Sequence, residues 1–302
     1  MRYGFIGLGE LGLLLARNLI KGGLSVKIYD QRDDPVQQLV GLGGIKADSV
    51  ADCASGVDAL ITCLPSPAAT KAVLDAVIAA APKSLASWIE MGTNEAKEIE
   101  SLAARLKEFG IETLAAPVTG GVHLAASAKI AVLAGGDEAL FERHRPALSL
   151  MGNRIFHLGG IEQAAVTKVV TNMLAFIHLI AAGEAMMLCK QAGVDMTQAF
   201  EAIKASSGNS FVHETETQVV LNGSYDIGFT LDLAKKDSGF ATAFGAKYGV
   251  PLRLASAMEQ AIHEASAKYG GDAWSPMVIK LLEDAVGESL RADGFPARLP
   301  QE

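Results

Sequence analysis

The first thirty residues constrain the fold of this chain more than any others. Tyr3 to Ile6 is a short apolar run, Gly7-Leu8-Gly9-Glu10-Leu11-Gly12 fits the pattern G-x-G-x-x-G, and Leu13 to Lys21 has the leucine and alanine content of a helix that Gly22-Gly23 ends. Ser25 to Tyr29 reads as a second strand, closed by Asp30. Strand, glycine turn, helix, strand and acid, in that order, make a βαβ unit that cradles a dinucleotide. Gly7 permits the tight turn, Gly9 lets a pyrophosphate approach the backbone, and Gly12 lets helix and strand pack closely. The helix start offers N–H groups to the phosphates, so Gly7, Leu8, Gly9, Glu10, Leu11 and Gly12 are assigned to the cofactor. Asp30 stands where an acid binds the adenosine ribose. A secretory segment is the other reading of so apolar a start. Glycines and Glu10 break the run, and no small-residue cleavage site precedes the charged stretch from Asp30 to Asp34.

The rest of the first half alternates strand-like and helix-like segments, the mark of a parallel sheet covered on both faces. Strands are expected at Tyr3–Ile6, Val26–Tyr29, Ala59–Cys63, Ser87–Glu90, Thr113–Ala115 and Lys129–Ala134, with helices at Pro67–Ala80 and Asn94–Phe109 among them. From about Gln163 strand-like runs stop. Gln163 to Ala192 contains no proline and is apolar on every face, which predicts a long helix buried on all sides as the post of an all-helical domain. Further helices are expected at Met196–Ala205, Ser210–Leu221, Thr230–Tyr248, Pro251–Lys268 and Ser275–Val286, and a tail from Arg291 that wraps or frays. The fold class is therefore α/β, a Rossmann-type doubly wound sheet over residues 1–162, then a long interdomain helix and an all-α domain over 163–302.

With 302 residues, half of them hydrophobic, the chain has material for two cores. A net charge of -8 without a basic block argues against a nucleic-acid partner, and no polybasic segment addresses a membrane surface. No uninterrupted apolar run reaches the roughly 18 residues of a membrane span. Three cysteines in no C-x-x-C pair and six scattered histidines suggest no metal site.

In an open α/β sheet ligands bind beyond the carboxyl ends of the strands. After Ala59–Cys63 comes Leu64-Pro65-Ser66-Pro67, a cofactor contact or a plain proline turn. After Ser87–Glu90 comes Met91-Gly92-Thr93-Asn94, where Thr93 bonds a cofactor amide or ribose, or Thr93 or Asn94 caps a helix. In Ala116 to Ala125, Thr119 beside Gly120-Gly121 puts a hydroxyl next to unshielded N–H groups; that suits a carboxylate, and equally a glycine hinge. Lys168 and Asn172 lie one above the other on the long helix in apolar surroundings, where both need partners unless Lys168 snorkels to solvent. Lys235, Lys236 and Asp237 read most simply as a solvated face. His123, Phe211, His213 and Phe229 lie near these segments, as pocket walls or as core.

Four segments, GFIGLGELGLLLARNLIKGG, APVTGGVHLA, KVVTN and KKDSGFA, together resemble the β-hydroxyacid dehydrogenase family, the group of 3-hydroxyisobutyrate dehydrogenase and tartronate semialdehyde reductase within the 6-phosphogluconate dehydrogenase superfamily. The resemblance covers nearly the whole chain and implies an NAD(P)-dependent oxidoreductase that moves hydride between nicotinamide and a small β-hydroxy acid or its semialdehyde. It implies that Lys168 is the acid/base, that Thr119, Gly120, Gly121 and Asn172 bind substrate in the cleft between the domains, and that Lys236 lies near the nicotinamide, with Leu64, Pro65 and Thr93 on the cofactor. The chain departs from the family at Ala116, where an acid is usual, and before Lys168, where further glycines are usual.

Two other readings share the fold. An imine reductase would generally lack the lysine, and a non-catalytic dinucleotide-binding protein would have lost Thr119, Lys168 and Asn172; all three are present. Asp30 favours NAD by repelling a 2′-phosphate, whereas Arg32 attracts one, and NAD is the expected choice over NADP. The apolar helix predicts a homodimer or homotetramer, and the composition a cytoplasmic enzyme.

Overall fold

A computed structural model describes residues 1–301. They form two compact units, Met1–Lys168 with Gln301, and Val169–Pro300.

The first unit alternates strand and helix as β1 (Arg2–Ile6), α1 (Glu10–Lys21), β2 (Ser25–Tyr29), α2 (Asp33–Val40), β3 (Ile45–Lys46), α3 (Val50–Ala54), β4 (Ala59–Thr62), α4 (Pro67–Ala80), β5 (Ser87–Glu90), α5 (Ala96–Lys107) and β6 (Glu112–Ala115). All pairings are parallel, in the order β3-β2-β1-β4-β5-β6. The strand order reverses between β1 and β4, where a doubly wound sheet opens its crevice. Phe5, Ile28, Leu60, Ile61, Trp88 and Ile89 are fully buried, as strands covered on both faces require.

The chain then builds a small sheet, order β7-β8-β9, from β7 (Val118–Thr119), β8 (Ile130–Ala134) and β9 (Gly152–His157), with α6 (Val122–Ala126) and α7 (Glu138–Met151) between them. The expected strand at Lys129–Ala134 is β8, but it stands outside the main sheet. Strands β3, β7 and β9 escape sequence reading. β3 and β7 have two residues each, and β9 is the polar, largely exposed GNRIFH on the sheet's margin.

Helix α8 (Ile161–Gln191) runs 31 residues and continues from the first unit into the second. It is long and apolar enough to cross a membrane by length and composition alone, although only 33% of its most apolar window is buried. Burial on all sides is thus not what the chain achieves. Val169, Phe176, Leu179, Ala182, Met186 and Met187 form a buried stripe at helical spacing, while Val170, Leu174 and Leu188 stay exposed.

The second unit adds α9 (Met196–Lys204), α10 (Phe211–Asn222), α11 (Leu231–Tyr248), α12 (Arg253–Tyr269) and, after a 3-10 turn at Ser275–Met277, α13 (Val278–Val286). Its core gathers Phe200, Val212, Leu231, Met258, Ile262 and Ile279 around the buried stripe of α8. The tail wraps rather than frays: Arg291 donates to Glu283 at 2.9 Å and to the Tyr225 hydroxyl at 2.8 Å, and Asn222 donates to the Phe295 carbonyl at 2.8 Å.

Candidate active site

The glycine turn after β1 behaves as its spacing requires. Gly7 has φ +98°, and a Cβ there would stand 2.4 Å from the Cys63 carbonyl oxygen. At Gly12 a Cβ would stand 2.0 Å from the Gly7 carbonyl oxygen, so α1 approaches β1 as closely as only glycine allows. At Gly9 nothing lies within 4 Å of the Cβ position. That open space sits at the N-cap of α1, where no side chain caps the helix and Leu8 and Leu11 flank the turn. A pyrophosphate fits such a place: the backbone is approachable and the helix dipole favours an anion.

Asp30, just past β2, is tied to the same turn. Its Oδ2 accepts from the Leu8 N–H at 2.6 Å, and its Oδ1 accepts from Arg32 N at 2.9 Å and Nε at 3.2 Å. Arg32 Nη2 also donates to the Leu8 carbonyl at 3.0 Å. Burial pushes the Asp30 carboxyl upward, but the Arg32 and Leu8 N–H groups and the Arg32 guanidinium outweigh it and hold the carboxyl below its ordinary range. An ionised acceptor at this strand end suits ribose hydroxyls.

Next across the switch point, Leu64 follows β4 with a side-chain methyl 2.9 Å from the Cβ position of Gly7 and its carbonyl oxygen 3.1 Å from that of Gly92. It joins the glycine turn to the loop after β5. Pro65 beside it is exposed, and Ser66 caps α4 by accepting from Ala69 N at 3.2 Å.

The loop after β5 is organised by a residue that sequence reading passed over. Glu90 is 1% exposed. One carboxylate oxygen accepts from the Thr62 hydroxyl, which in turn accepts from Trp88 Nε1 at 2.8 Å. The other accepts from Gly92 N at 2.8 Å and Asn94 Nδ2 at 2.9 Å. Thr62, Gly92 and Asn94 thus converge on a buried carboxylate, with Trp88 behind Thr62, and the loop that carries Thr93 is fixed by it. A lone acid ending the short strand Ser87–Glu90, right after Trp88 and Ile89, was the available signal.

Lys168 is buried and lines a small cavity with Glu90, Thr93, Asn94 and Pro117. The Cys63 thiol registers both charges: burial pushes it up to about 12, Glu90 pushes further the same way, and Lys168 opposes. Lys168 therefore does not snorkel away. In β7, Thr119 pairs with Ala131, and Gly120 and Gly121 follow with φ of +126° and +86°. Both glycines hold conformations that side chains resist, and the ring of half-buried His123 packs 3.2 Å from the Cβ position of Gly121. Burial holds the His123 imidazole below its ordinary range.

Asn172 lies one turn further along α8. In the second unit its Nδ2 donates to Asp237 Oδ2 at 2.6 Å, and Lys236 Nζ lies 2.9 Å from Asp237 Oδ1. Asp237 is 2% exposed, so the solvated-face reading of this cluster fails for it. One buried carboxylate gathers Asn172 and Lys236, which the sequence places 64 positions apart. Lys236 also lies 5.4 Å from the Phe240 ring centre.

A profile of the NAD binding domain of 6-phosphogluconate dehydrogenase matches residues 2–159, and one described as NAD-binding of NADP-dependent 3-hydroxyisobutyrate dehydrogenase matches residues 163–282. The chain is 30% identical over 294 residues to 2-(hydroxymethyl)glutarate dehydrogenase of Eubacterium barkeri, across 96% of this chain and 97% of that protein. The chain belongs to the β-hydroxyacid dehydrogenase family. Among solved structures, Mycobacterium tuberculosis 3-hydroxyisobutyrate dehydrogenase with L-serine superposes on this dehydrogenase with a TM-score of 0.82 at 28% identity, covering 93% of this chain and 99% of that one. An imine reductase from Myxococcus stipitatus in complex with NADP+ reaches a TM-score of 0.61 at 18% identity, covers 93% and 100%, and shares the fold alone. The match to the NAD binding domain, residues 2–159, falls within the first unit and spans its parallel, Rossmann-like sheet.

Proposed function

We propose that this dehydrogenase oxidises a 2-substituted 3-hydroxypropionate to its semialdehyde, or runs the reverse reduction, with NAD as the preferred cofactor. Two of its relatives' substrates, 3-hydroxyisobutyrate and 2-(hydroxymethyl)glutarate, and the L-serine held by one solved relative each carry a primary hydroxyl on the carbon next to the carboxylate-bearing one, whereas L-threonate, named for a relative at 31% identity, carries a secondary hydroxyl there. The observation that carries the reading is the cavity after β5 and β6, where buried Lys168 meets Thr93 on the loop next to the glycine turn.

In this reading Thr119, Gly120 and Gly121 hold the substrate carboxylate, Asn172 holds its hydroxyl side, and Lys236 stands near the nicotinamide. Leu64, Pro65 and Thr93 contact the cofactor. Bound NAD supplies the hydride acceptor. Neutral Lys168 takes the hydroxyl proton as the carbinol carbon gives up its hydride; in reduction the Lys168 ammonium returns that proton to the carbonyl oxygen. Residues 1–162 bind the cofactor, and residues 163–302 carry the subunit contacts.

Val170, Leu174 and Leu188, exposed at helical spacing on one face of α8, support a homodimer or homotetramer, since a contiguous apolar face tends to meet a partner. A cytoplasmic location accompanies the metabolic role.

The test is initial-rate reduction of NAD and NADP against 3-hydroxyisobutyrate, glycerate, 3-hydroxypropionate, serine and threonate, with Lys168→Ala alongside. Activity on a 3-hydroxy acid that falls about 100-fold or more in the variant is expected. Wild-type turnover in Lys168→Ala would remove the acid/base assignment, and better turnover with NADP would remove the cofactor assignment.

A further inference from the structure

Asn94 is buried, 5% exposed, and lines the same cavity as Lys168. Its amide cannot turn over. Glu90 Oε1, 2.9 Å away, already accepts from Gly92 N, and an ionised carboxylate only accepts, so the Asn94 amide nitrogen must face it. The amide oxygen is thereby turned off Glu90, and it is a buried acceptor that meets no donor among the protein's groups. A well-made site does not leave such an acceptor unsatisfied, because its lost hydration is uncompensated.

The cavity has room for about one water molecule. Its walls supply what a buried water needs, an acceptor in the Asn94 oxygen and a donor in the Lys168 ammonium. A direct bond from Lys168 would serve the acceptor equally well in principle, but the Asn94 oxygen receives none.

We propose that Asn94 is a positioning residue for Lys168, acting through one ordered water held between the Asn94 amide oxygen and the Lys168 Nζ. The inference rests on Lys168 being the acid/base group. The water accepts from the ammonium and donates to Asn94, so it steadies Nζ in one place and gives its proton a first step away from the site. Glu90 sets this up at one remove, by fixing which end of the Asn94 amide faces the cavity. The Glu90 carboxylate at the end of β5 lines the same cavity as Lys168, and the Cys63 thiol after β4 interacts electrostatically with both.

The experiment has two arms. A crystal structure of the wild-type enzyme with NAD, at a resolution that shows waters, is expected to place one water within hydrogen-bond distance of both Asn94 Oδ1 and Lys168 Nζ. Direct contact between those two atoms, or a cofactor group bonded to Oδ1, overturns the proposal. The second arm compares Asn94→Leu, which keeps the volume and removes both the acceptor and the Nδ2 donor to Glu90, with Asn94→Ser, which keeps an oxygen. For Asn94→Leu kcat should fall about tenfold while KM for NAD stays within about twofold, and the pH midpoint assigned to Lys168 should drop by about one unit as its ammonium loses a hydrogen-bond acceptor. Asn94→Ser should recover part of the rate. Wild-type kcat and pH profile in Asn94→Leu would refute the positioning role. If Lys168→Ala keeps its activity, the acid/base reading fails instead, and the crystallographic arm still decides whether the water exists.

Discussion

The Glu90 carboxylate fills the space that a side chain at Gly92 would need: a Cβ built there stands 2.5 Å from Glu90 Oε1. Gly92 is therefore a glycine because of its neighbour and not because of a left-handed backbone, since it is absent from the positive-φ glycines. The same oxygen takes the Gly92 N–H at 2.8 Å and the Asn94 amide at 2.9 Å, so any displacement of the carboxylate loosens the loop that carries Thr93.

Gly92→Ala should accordingly destabilise the first unit by about 2 kcal/mol, as overpacking a filled core site does. The shorter acid of Glu90→Asp makes room, so the double variant should lose about 1 kcal/mol less than the two single losses added together. Urea unfolding of the four proteins measures this. Simple additivity would mean that the clash is relieved by some other movement.

Two glycines of the same motif should fail in different ways. At Gly12 an added methyl meets the Gly7 carbonyl oxygen at 2.0 Å, so Gly12→Ala pushes α1 off β1 and lowers stability by about 2 kcal/mol or more. At Gly9 the position is open, so Gly9→Ala should fold with nearly wild-type stability and lose affinity for the dinucleotide. Thermal melts with and without NAD separate the two. A Gly9→Ala protein that is stabilised by NAD as strongly as the wild type would show that the open space is not where the pyrophosphate goes.

Arg32 makes the cofactor preference a matter of two residues. It is held to Asp30 at 3.2 Å and to the Leu8 carbonyl at 3.0 Å. If Asp30 accepts from the ribose hydroxyls as proposed, Asp30→Ser removes that acceptor and the charge that repels a 2′-phosphate, and it frees Arg32 from the carboxylate that holds it at 3.2 Å. The ratio of kcat/KM for NADP to that for NAD should rise about tenfold or more, roughly the value of one charged contact. An unchanged ratio would assign the choice to other residues.

The first unit was largely legible because its signals are local. A hydrophobic run, three glycines at fixed spacing and an acid one strand later describe a βαβ crossover completely, and α4 follows the expected Pro67–Ala80 to the residue. What escaped depends on long-range pairing. Nothing in GNRIFH announces β9, because a marginal strand of a small sheet has no buried alternation to show. Asp237 looked solvated beside two lysines, and only the fold reveals it buried against Asn172. Glu90 and Asn94 were hidden for a related reason, since a satisfied buried carboxylate and the amide it orients are defined by partners on β4 and β5 and by no motif. The apolar faces of α8 misled in the other direction. Sequence periodicity reports how much surface is apolar, but whether the same chain covers it depends on packing.

The helical unit holds a titration that sequence gives no hint of. Glu216 on α10 has a buried Oε2 with no hydrogen-bond partner, and burial pushes its carboxyl from the ordinary 4.5 up to about 7. The neutral form is thus favoured in the folded state. Its stabilising contribution is full below pH 4.5 and is lost as pH rises through about 7, where the folded protein must ionise a desolvated acid. The shift corresponds to at most about 3 kcal/mol, reached above pH 7. Glu216→Gln is neutral throughout and should escape the loss, so the variant should gain on the wild type by about 1–3 kcal/mol between pH 4.5 and pH 8. Hydrogen exchange of the α10 amides at the two pH values reads this locally, without requiring the two units to unfold together. An identical wild-type-to-variant difference at both pH values would show that Glu216 titrates as an ordinary solvated carboxylate.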